Sequence, residues 1–338
     1  MERKPLNIAA QCLSVAPMMD WTDRHCRYFH RQLTKSALLY TEMVVADAVI
    51  RGDRQRLLSY DDAEHPVALQ LGGSDPEKLA EATRIAADFG YDEINLNVGC
   101  PSDRVQSGTF GACLMLQPDL VARCIEAMRR AAPDTVRVTV KCRIGVDEQD
   151  PEIALFGLAR DVIAAGSQAV WVHARKAWLQ GLSPRENRDI PPLDYDIVYR
   201  LKRVHPDVFI GINGGITDLD QVRDHLTRVD GAMLGRAAYH SPGILAGVDA
   251  MMSGGTAAEP DYQRIMEAMA AYADRHVTAG GRVQHVTRHM IGLFQGMPGA
   301  RRYRQILTVE TAKPDCGPDV LFAAMQAVHL EDATAPAA

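Results

Sequence analysis

The residues of this sequence best suited to chemistry gather in one stretch, Asn95-Leu96-Asn97-Val98-Gly99-Cys100-Pro101. Ile94, Leu96 and Val98 alternate with Asn95 and Asn97, a period that predicts a strand with one apolar face and one amide face. Gly99 breaks the alternation, and Cys100 follows just past the strand end, with Pro101 stiffening the turn behind it. A thiol on a stiff turn above a row of amides suits proton transfer or nucleophilic attack. Taken alone, the stretch also fits a structural cysteine in a βα turn, because free cysteine packs as a small hydrophobe.

Comparable groups recur at the ends of other strand-like runs. Pro17, Met18 and Met19 end the first, and Gln70 ends the third ahead of Gly72-Gly73. Lys141 and Arg143 share one face of the fifth, and His173 ends the sixth. Asn213-Gly214-Gly215 ends the seventh, and Gly235-Arg236 the eighth. A glycine pair lets backbone approach a ligand closely, and the helix that follows offers free N–H groups. A second glycine turn with an arginine points to a phosphate-bearing ligand, as against two simple tight turns. Lys141 lies on an otherwise apolar strand, so it needs an anion, a strong acceptor or an acid on a neighbouring strand. Gln70 and His173 could each be satisfied core residues, but both stand at strand ends. A ring with a carbonyl edge and a phosphate tail would use all these groups together, and FMN is such a ligand.

The elements that must position them alternate. Strands are expected at Leu13–Met18, Leu38–Glu42, Pro66–Leu71, Glu93–Val98, Val136–Arg143, Ala169–His173, Val208–Asn213 and Gly231–Gly235. Amphipathic helices are expected at Arg24–Leu33, Pro76–Phe89, Pro118–Ala131, Ile153–Ala165, Ile197–Val204 and Leu219–Leu226, with a less regular one over Val44–Leu58. Asp75-Pro76 starts one helix, and Gly90 and Gly166 end two others. Eight βα units predict an α/β fold, a (β/α)8 TIM barrel, with an open doubly wound sheet as the alternative. Ser253-Gly254-Gly255-Thr256 and Pro260 read as a linker. Helices are expected beyond it, at Tyr262–Ala279, Arg282–Gln295, Ala300–Val309 and Val320–Leu330. The expected organisation is therefore a barrel over 1–252 and a small C-terminal helical domain over 260–330.

Composition narrows the class. A hydrophobic fraction of 47% in 338 residues supports a sizeable core. Seven cysteines form no C-x-x-C motif or paired ladder, which argues for a reducing, cytoplasmic setting and against a zinc site of the usual spacing. No apolar run reaches a membrane span, and the start of the chain does not read as a signal peptide. The net charge of −6 by itself disfavours a nucleic-acid partner, but its distribution does not. From Arg275 to Val309 there is no Asp or Glu, while Arg275, Arg282, Arg288, Arg301, Arg302 and Arg304 all lie there. A second basic patch follows the sixth strand: Arg175, Lys176, Arg185 and Arg188, with Trp178 among them. Each could be a solvated face, but together they point to a phosphate-rich partner.

At this point the chain resembles the tRNA-dihydrouridine synthases, and within them the A subfamily. The shared pieces are Ala16-Pro17-Met18-Met19-Asp20-Trp21-Thr22-Asp23, Gln70-Leu71-Gly72-Gly73, Asn95 to Ser102, Gly108 to Met115, and Val140-Lys141-Cys142-Arg143-Ile144-Gly145. Closer to the subfamily are Gly181 to Arg188 and Gly296-Met297-Pro298-Gly299-Ala300-Arg301-Arg302. The resemblance implies an FMN-dependent barrel that uses NADPH to reduce uridines 20 and 20a in the D-loop of tRNA. FMN would touch Pro17, Met18, Met19, Gln70, Lys141, His173, Asn213, Gly214, Gly215, Gly235 and Arg236. Cys100 would be the proton donor, and Asn97, Arg185, Arg188, Arg301 and Arg304 would contact tRNA. Neither DNA nor a membrane is implied as a partner, and a monomer is the default. A thiol ordinarily ionises at about 8.5, so one that is not acidified suits an acid better than a nucleophile. The loop Ser102–Met115 is expected to close over the target base. Two alternatives stay open: an FMN barrel acting on a free pyrimidine or another small ene substrate, and a non-catalytic RNA-binding protein.

Overall fold

The computed structural model describes residues 12–102, 109–256 and 259–330. Eight parallel strands close on themselves in chain order: β1 (Leu13–Val15), β2 (Leu38–Val45), β3 (Val67–Gly72), β4 (Glu93–Val98), β5 (Arg137–Arg143), β6 (Ala169–His173), β7 (Phe209–Asn213) and β8 (Gly231–Leu234). β8 pairs back onto β1, so the closed barrel replaces the open-sheet alternative.

Connecting helices lie at Arg24–Leu33, Pro76–Asp88, Pro118–Ala131, Pro151–Ala164, Tyr195–Val204 and Leu219–Leu226. Each begins where an acceptor can cap it or a proline can start it. Asp75 accepts from the N–H groups of Glu77 and Lys78 with Pro76 at the first turn, and Asp150-Pro151 repeats the device. The irregular helix expected over Val44–Leu58 is different: β2 runs on to Val45. Two short helices follow, Ala46–Arg51 and Arg54–Leu58, separated by Gly52 and a new cap at Asp53.

Strand alternation divides the side chains between the barrel interior and the helical layer. Ile94, Leu96 and Val98 face outward into apolar packing, while Glu93, Asn95 and Asn97 face the interior, and all six are buried. Part of the interior is apolar: Leu38, Tyr40, Ala68, Ala169, Trp171, Phe209 and Met233 cluster there with Ala16, and Met18 packs on top. Trp171 fits because Gly211 and Gly231 leave it room. A Cβ on Gly211 would stand 2.1 Å from the indole, and one on Gly231 would stand 2.8 Å from it. Burial of each of Leu38, Phe209 and Met233 contributes roughly 1.5–3 kcal/mol.

Two compact units divide the chain differently from the spans expected at 1–252 and 260–330. One takes residues 1–20 and 36–235, and the other takes 21–35 and 236–338. The helix Arg24–Leu33 therefore belongs with the C-terminal helices. Its cap residue Asp23 pairs with Arg288 and His289, Tyr28 stacks on Tyr272 at 4.0 Å, and His25 bonds the Tyr272 hydroxyl at 2.9 Å. Among the described residues, its other α-helices are Arg236–His240, Val248–Ser253, Tyr262–Thr278, Val283–Thr287, Ala300–Val309 and Val320–Met325. The helix expected over Arg282–Gln295 stops after Thr287 and gives way to turns. Gly292 lies there against the His240 carbonyl, where a Cβ would come within 2.2 Å. Among the described residues, no helix is long and apolar enough to cross a membrane.

Candidate active site

β4 carries the reactive turn. The Asn97 side-chain oxygen accepts from the backbone N–H groups of Gly99 and Cys100, both at 3.0 Å. Its amide nitrogen donates to Gln70 Oε1 at 2.8 Å. The chain of bonds continues inward: Gln70 Nε2 to Asn95 Oδ1 at 2.8 Å, Asn95 Nδ2 to Thr139 Oγ1 at 2.8 Å, and Thr139 Oγ1 to Glu93 Oε1 at 2.7 Å. Glu93 anchors it, held by the Arg137 guanidinium and the Tyr40 hydroxyl. Strand register makes this possible, with Gln70 opposite Asn95, Asn95 opposite Thr139 and Glu93 opposite Arg137. Burial and Glu93 together push the Tyr40 phenol well above its ordinary pKa, so it stays a donor.

Cys100 itself is half-buried, with its thiol 3.6 Å from the Ser102 hydroxyl, and its carbonyl accepts from Ala112 N at 2.8 Å. Residues 103–108 of the expected closing loop, Gly108 among them, lie outside the described residues. The seven cysteines are all free.

Lys141 stands opposite Asn97 on β4 and Trp171 on β6. The expected possibility of an acid partner is not met among the described residues, because Glu93 is committed to Arg137. Burial and then Arg143 bring the Lys141 pKa down from 10.5 to about 8. His173, the last residue of β6, is kept neutral by burial and then by Arg143, Lys141, Arg175 and Arg188. Its Nδ1 is buried and makes no hydrogen bond among the described residues.

The next two strand ends are open-backed. Asn213 Nδ2 donates to the Met233 carbonyl at 2.7 Å, and Gly214 and Gly215 take φ values of 112° and 72°. A Cβ on Gly214 would press on His173 Nε2 at 3.2 Å, whereas one on Gly235 would meet nothing within 4 Å. Arg236 opens the helix Arg236–His240. Pro17 and Met18 are half-buried after β1, and Met19 is 54% exposed. The first unit thus brings together an orphaned imidazole nitrogen, a buried ammonium and left-handed glycines, crowded by arginines. That set fits an anionic ligand with a polar ring edge and a phosphate, which is the chemistry of FMN.

The cations of the loop after β6 differ in exposure. Arg175 is spent on the Pro191 carbonyl and Lys176 on the Gln149 carbonyl at 2.8 Å, whereas Arg185 and Arg188 are exposed. In the second unit, Arg301 and Arg302 are exposed on the helix Ala300–Val309 and Arg304 is half-buried. The acid-free stretch does meet an acid in space, since Asp23 takes Arg288 and His289.

Sequence reasoning missed the anchor of the amide chain: Glu93, Arg137, Thr139 and Tyr40. Parity could have found them, because Glu93 shares the face of Asn95 and Asn97, and Arg137 and Thr139 share that of Lys141. The Asn97 amide does two things here: its oxygen holds the turn, and its nitrogen bonds Gln70 on β3.

Comparison with known proteins adds the following. A family profile described as "Dihydrouridine synthase (Dus)" matches residues 14–328. A tRNA-dihydrouridine(20/20a) synthase of Shewanella oneidensis is 54% identical over 94% of this chain and 94% of its own. The protein of the same name from Synechocystis sp. is 55% identical over 93% of this chain and 94% of its own. The one from Xanthomonas campestris pv. campestris is 54% identical over 93% and 92%. Among solved structures, a 2-naphthoyl-CoA reductase in complex with 2-naphthoyl-CoA superposes with a TM-score of 0.55 at 11% identity. The match covers 75% of this chain and about half, 52%, of that one, and it speaks to the fold alone.

Proposed function

The chain belongs to the dihydrouridine synthase family, which reduces uridine in tRNA and is flavin-dependent, and from that premise we propose its particular reaction. FMN is the flavin and NADPH the reductant, and the substrates are uridines 20 and 20a of tRNA, the positions that the names of its relatives carry. The observation that carries the reading is the Cys100 turn, pinned by Asn97 on a barrel rim rich in cations.

The C5=C6 bond of uracil is electron-poor at C6, so addition of hydride there leaves negative charge on C5 and O4. The chemistry that FMN would supply when bound and reduced by NADPH is that hydride equivalent. Cys100 delivers the proton: its S–H bond breaks, a C5–H bond forms, and the thiolate regains a proton from solvent. Asn97 keeps the thiol in place by holding the two N–H groups of its turn. Lys141 would offer its cation to bound FMN, and Gln70, His173, Asn213, Gly214, Gly215, Gly235 and Arg236 would hold the group with Pro17, Met18 and Met19. Arg185, Arg188, Arg301 and Arg304 hold RNA phosphates while the target base is drawn out of the folded tRNA. Asn97 contacts the RNA from the same turn that carries Cys100.

Purified protein should be yellow with flavin absorption bands. With NADPH it should restore dihydrouridine at positions 20 and 20a in tRNA from a deletion strain, as mapped by mass spectrometry. Reduction of free uridine in preference to tRNA would overturn the reading in favour of a small-substrate barrel. Replacing Arg301 and Arg304 by Ala should weaken tRNA binding and flatten its salt slope by roughly 0.7–0.9 per lost phosphate contact. An unchanged slope would remove that helix from the footprint.

A further inference from the structure

Arg143 ends β5 and is 4% exposed. Among the described residues its guanidinium is held by backbone carbonyls and not by a carboxylate. Nε donates to the Gly99 carbonyl at 3.0 Å, and one terminal nitrogen donates to those of Lys176 and Asn187, both at 2.8 Å. Gly99 is the residue before Cys100. Lys176 and Asn187 bracket the segment that carries Arg185, with Arg188 next in the chain.

That segment is pinned at Asn187, which is fully buried. Its Oδ1 accepts from Trp178 N at 2.7 Å, and its Nδ2 donates to the carbonyls of Trp178 at 2.9 Å and Leu182 at 3.2 Å. These bonds hold Trp178 and Asn187 together, and Arg143 ties them to the cysteine turn. A planar guanidinium offers donors in a fixed fork, so the loop cannot shift without straining the Gly99 bond. Arg143 and Cys100 also interact electrostatically.

We propose that Arg143 is a positioning residue that couples the seating of RNA on the loop after β6 to the placement of the Cys100 thiol. When RNA engages Arg185 and Arg188, the loop position passes through Arg143 to Gly99 and sets where the thiol stands. The proposal rests on the reading of Cys100 as the acid.

Two readouts test it. The first uses pre-reduced, FMN-loaded enzyme and tRNA in a single turnover, with the maximal rate and the tRNA dissociation constant measured separately. Arg143→Lys keeps the charge but loses the fork. It should lower the maximal rate about tenfold or more while the dissociation constant stays within about threefold, because a small misplacement of a reacting group is costly. A maximal rate within about twofold of the unaltered enzyme, or a loss confined to the dissociation constant, would overturn the proposal.

The second readout needs no turnover, so it separates failure of the latch from failure of the proposed reaction. It is the rate of Cys100 alkylation by iodoacetamide in free holoenzyme, followed by peptide mass mapping. Asn187→Ser loosens only the loop and should speed alkylation about threefold or more, and adding Arg143→Lys should bring no further increase. An alkylation rate unmoved by Asn187→Ser would overturn the coupling. Should Arg143→Lys fail to hold flavin, Asn187→Ser alone decides, by alkylation and by the same fall in maximal rate.

Discussion

The two halves of this barrel interior obey opposite rules. β3, β4 and β5 line their half with Gln70, Asn95, Asn97, Thr139, Glu93 and Arg137, joined by directional bonds of 2.7–2.8 Å from Asn97 down to Glu93. β6, β7 and β8 fill the other half with Trp171, Phe209 and Met233, which hold by volume alone. Tyr40 belongs to both, with its ring in the apolar cluster and its hydroxyl on Glu93. Directional bonds fix angles as well as positions, whereas dispersion contacts only fill space. The thiol turn stands above the half that fixes angles, and the apolar half stiffens the wall behind it.

The comparison can be broken most severely at the anchor of the polar half. Arg137→Leu leaves Glu93 buried without its cation and should cost about 3–5 kcal/mol in urea unfolding, with much of the loss recovered in the double variant with Glu93→Leu. A loss under about 1 kcal/mol would mean that water reaches Glu93 and that the anchor is not dry.

The apolar half should break by overpacking. Gly211→Ala puts a Cβ where 2.1 Å now separates it from the Trp171 ring, and should cost about 1–3 kcal/mol. Pairing it with Trp171→Phe should recover part of that loss, measured by thermal melting. A neutral Gly211→Ala would show that this half is looser than its packing suggests.

The smallest effect separates the halves by pH. Burial and then Arg143 lower Lys141 from 10.5 to about 8, so it is charged at pH 7 and loses its proton as the pH rises through 8. Affinity for FMN should therefore fall about tenfold between pH 7 and 9.5, roughly 1.4 kcal/mol, and this dependence should vanish in Lys141→Met. A flat profile in the unaltered protein would take Lys141 out of the cradle.

Much of this was legible before any coordinates. The period of two in 94–98 shows which side chains share a face, and the cap at Asp75 is local chemistry. Strand-end residues such as Lys141, His173 and Gly214 stand out because their types suit a ligand more than a core. Register is not local. Nothing in the order of residues says that Asn95 meets Thr139, or that Glu93 takes Arg137 and leaves Lys141 without an acid. Nor does it say that the helix Arg24–Leu33 joins the C-terminal unit, which depends on Asp23 meeting Arg288 and His289 across more than 260 positions. The arrangement of the Asn97 amide was hidden for the same reason, since its partners are fixed by the turn and by Gln70 on the next strand.

The central claim is that the polar half exists to present a proton-donating thiol. It is tested most directly by Cys100→Ala, loaded with FMN and given NADPH and then tRNA. Flavin reduction by NADPH should proceed as in the unaltered enzyme, while dihydrouridine formation falls about 100-fold or more. Formation of dihydrouridine at the unaltered rate would contradict the account.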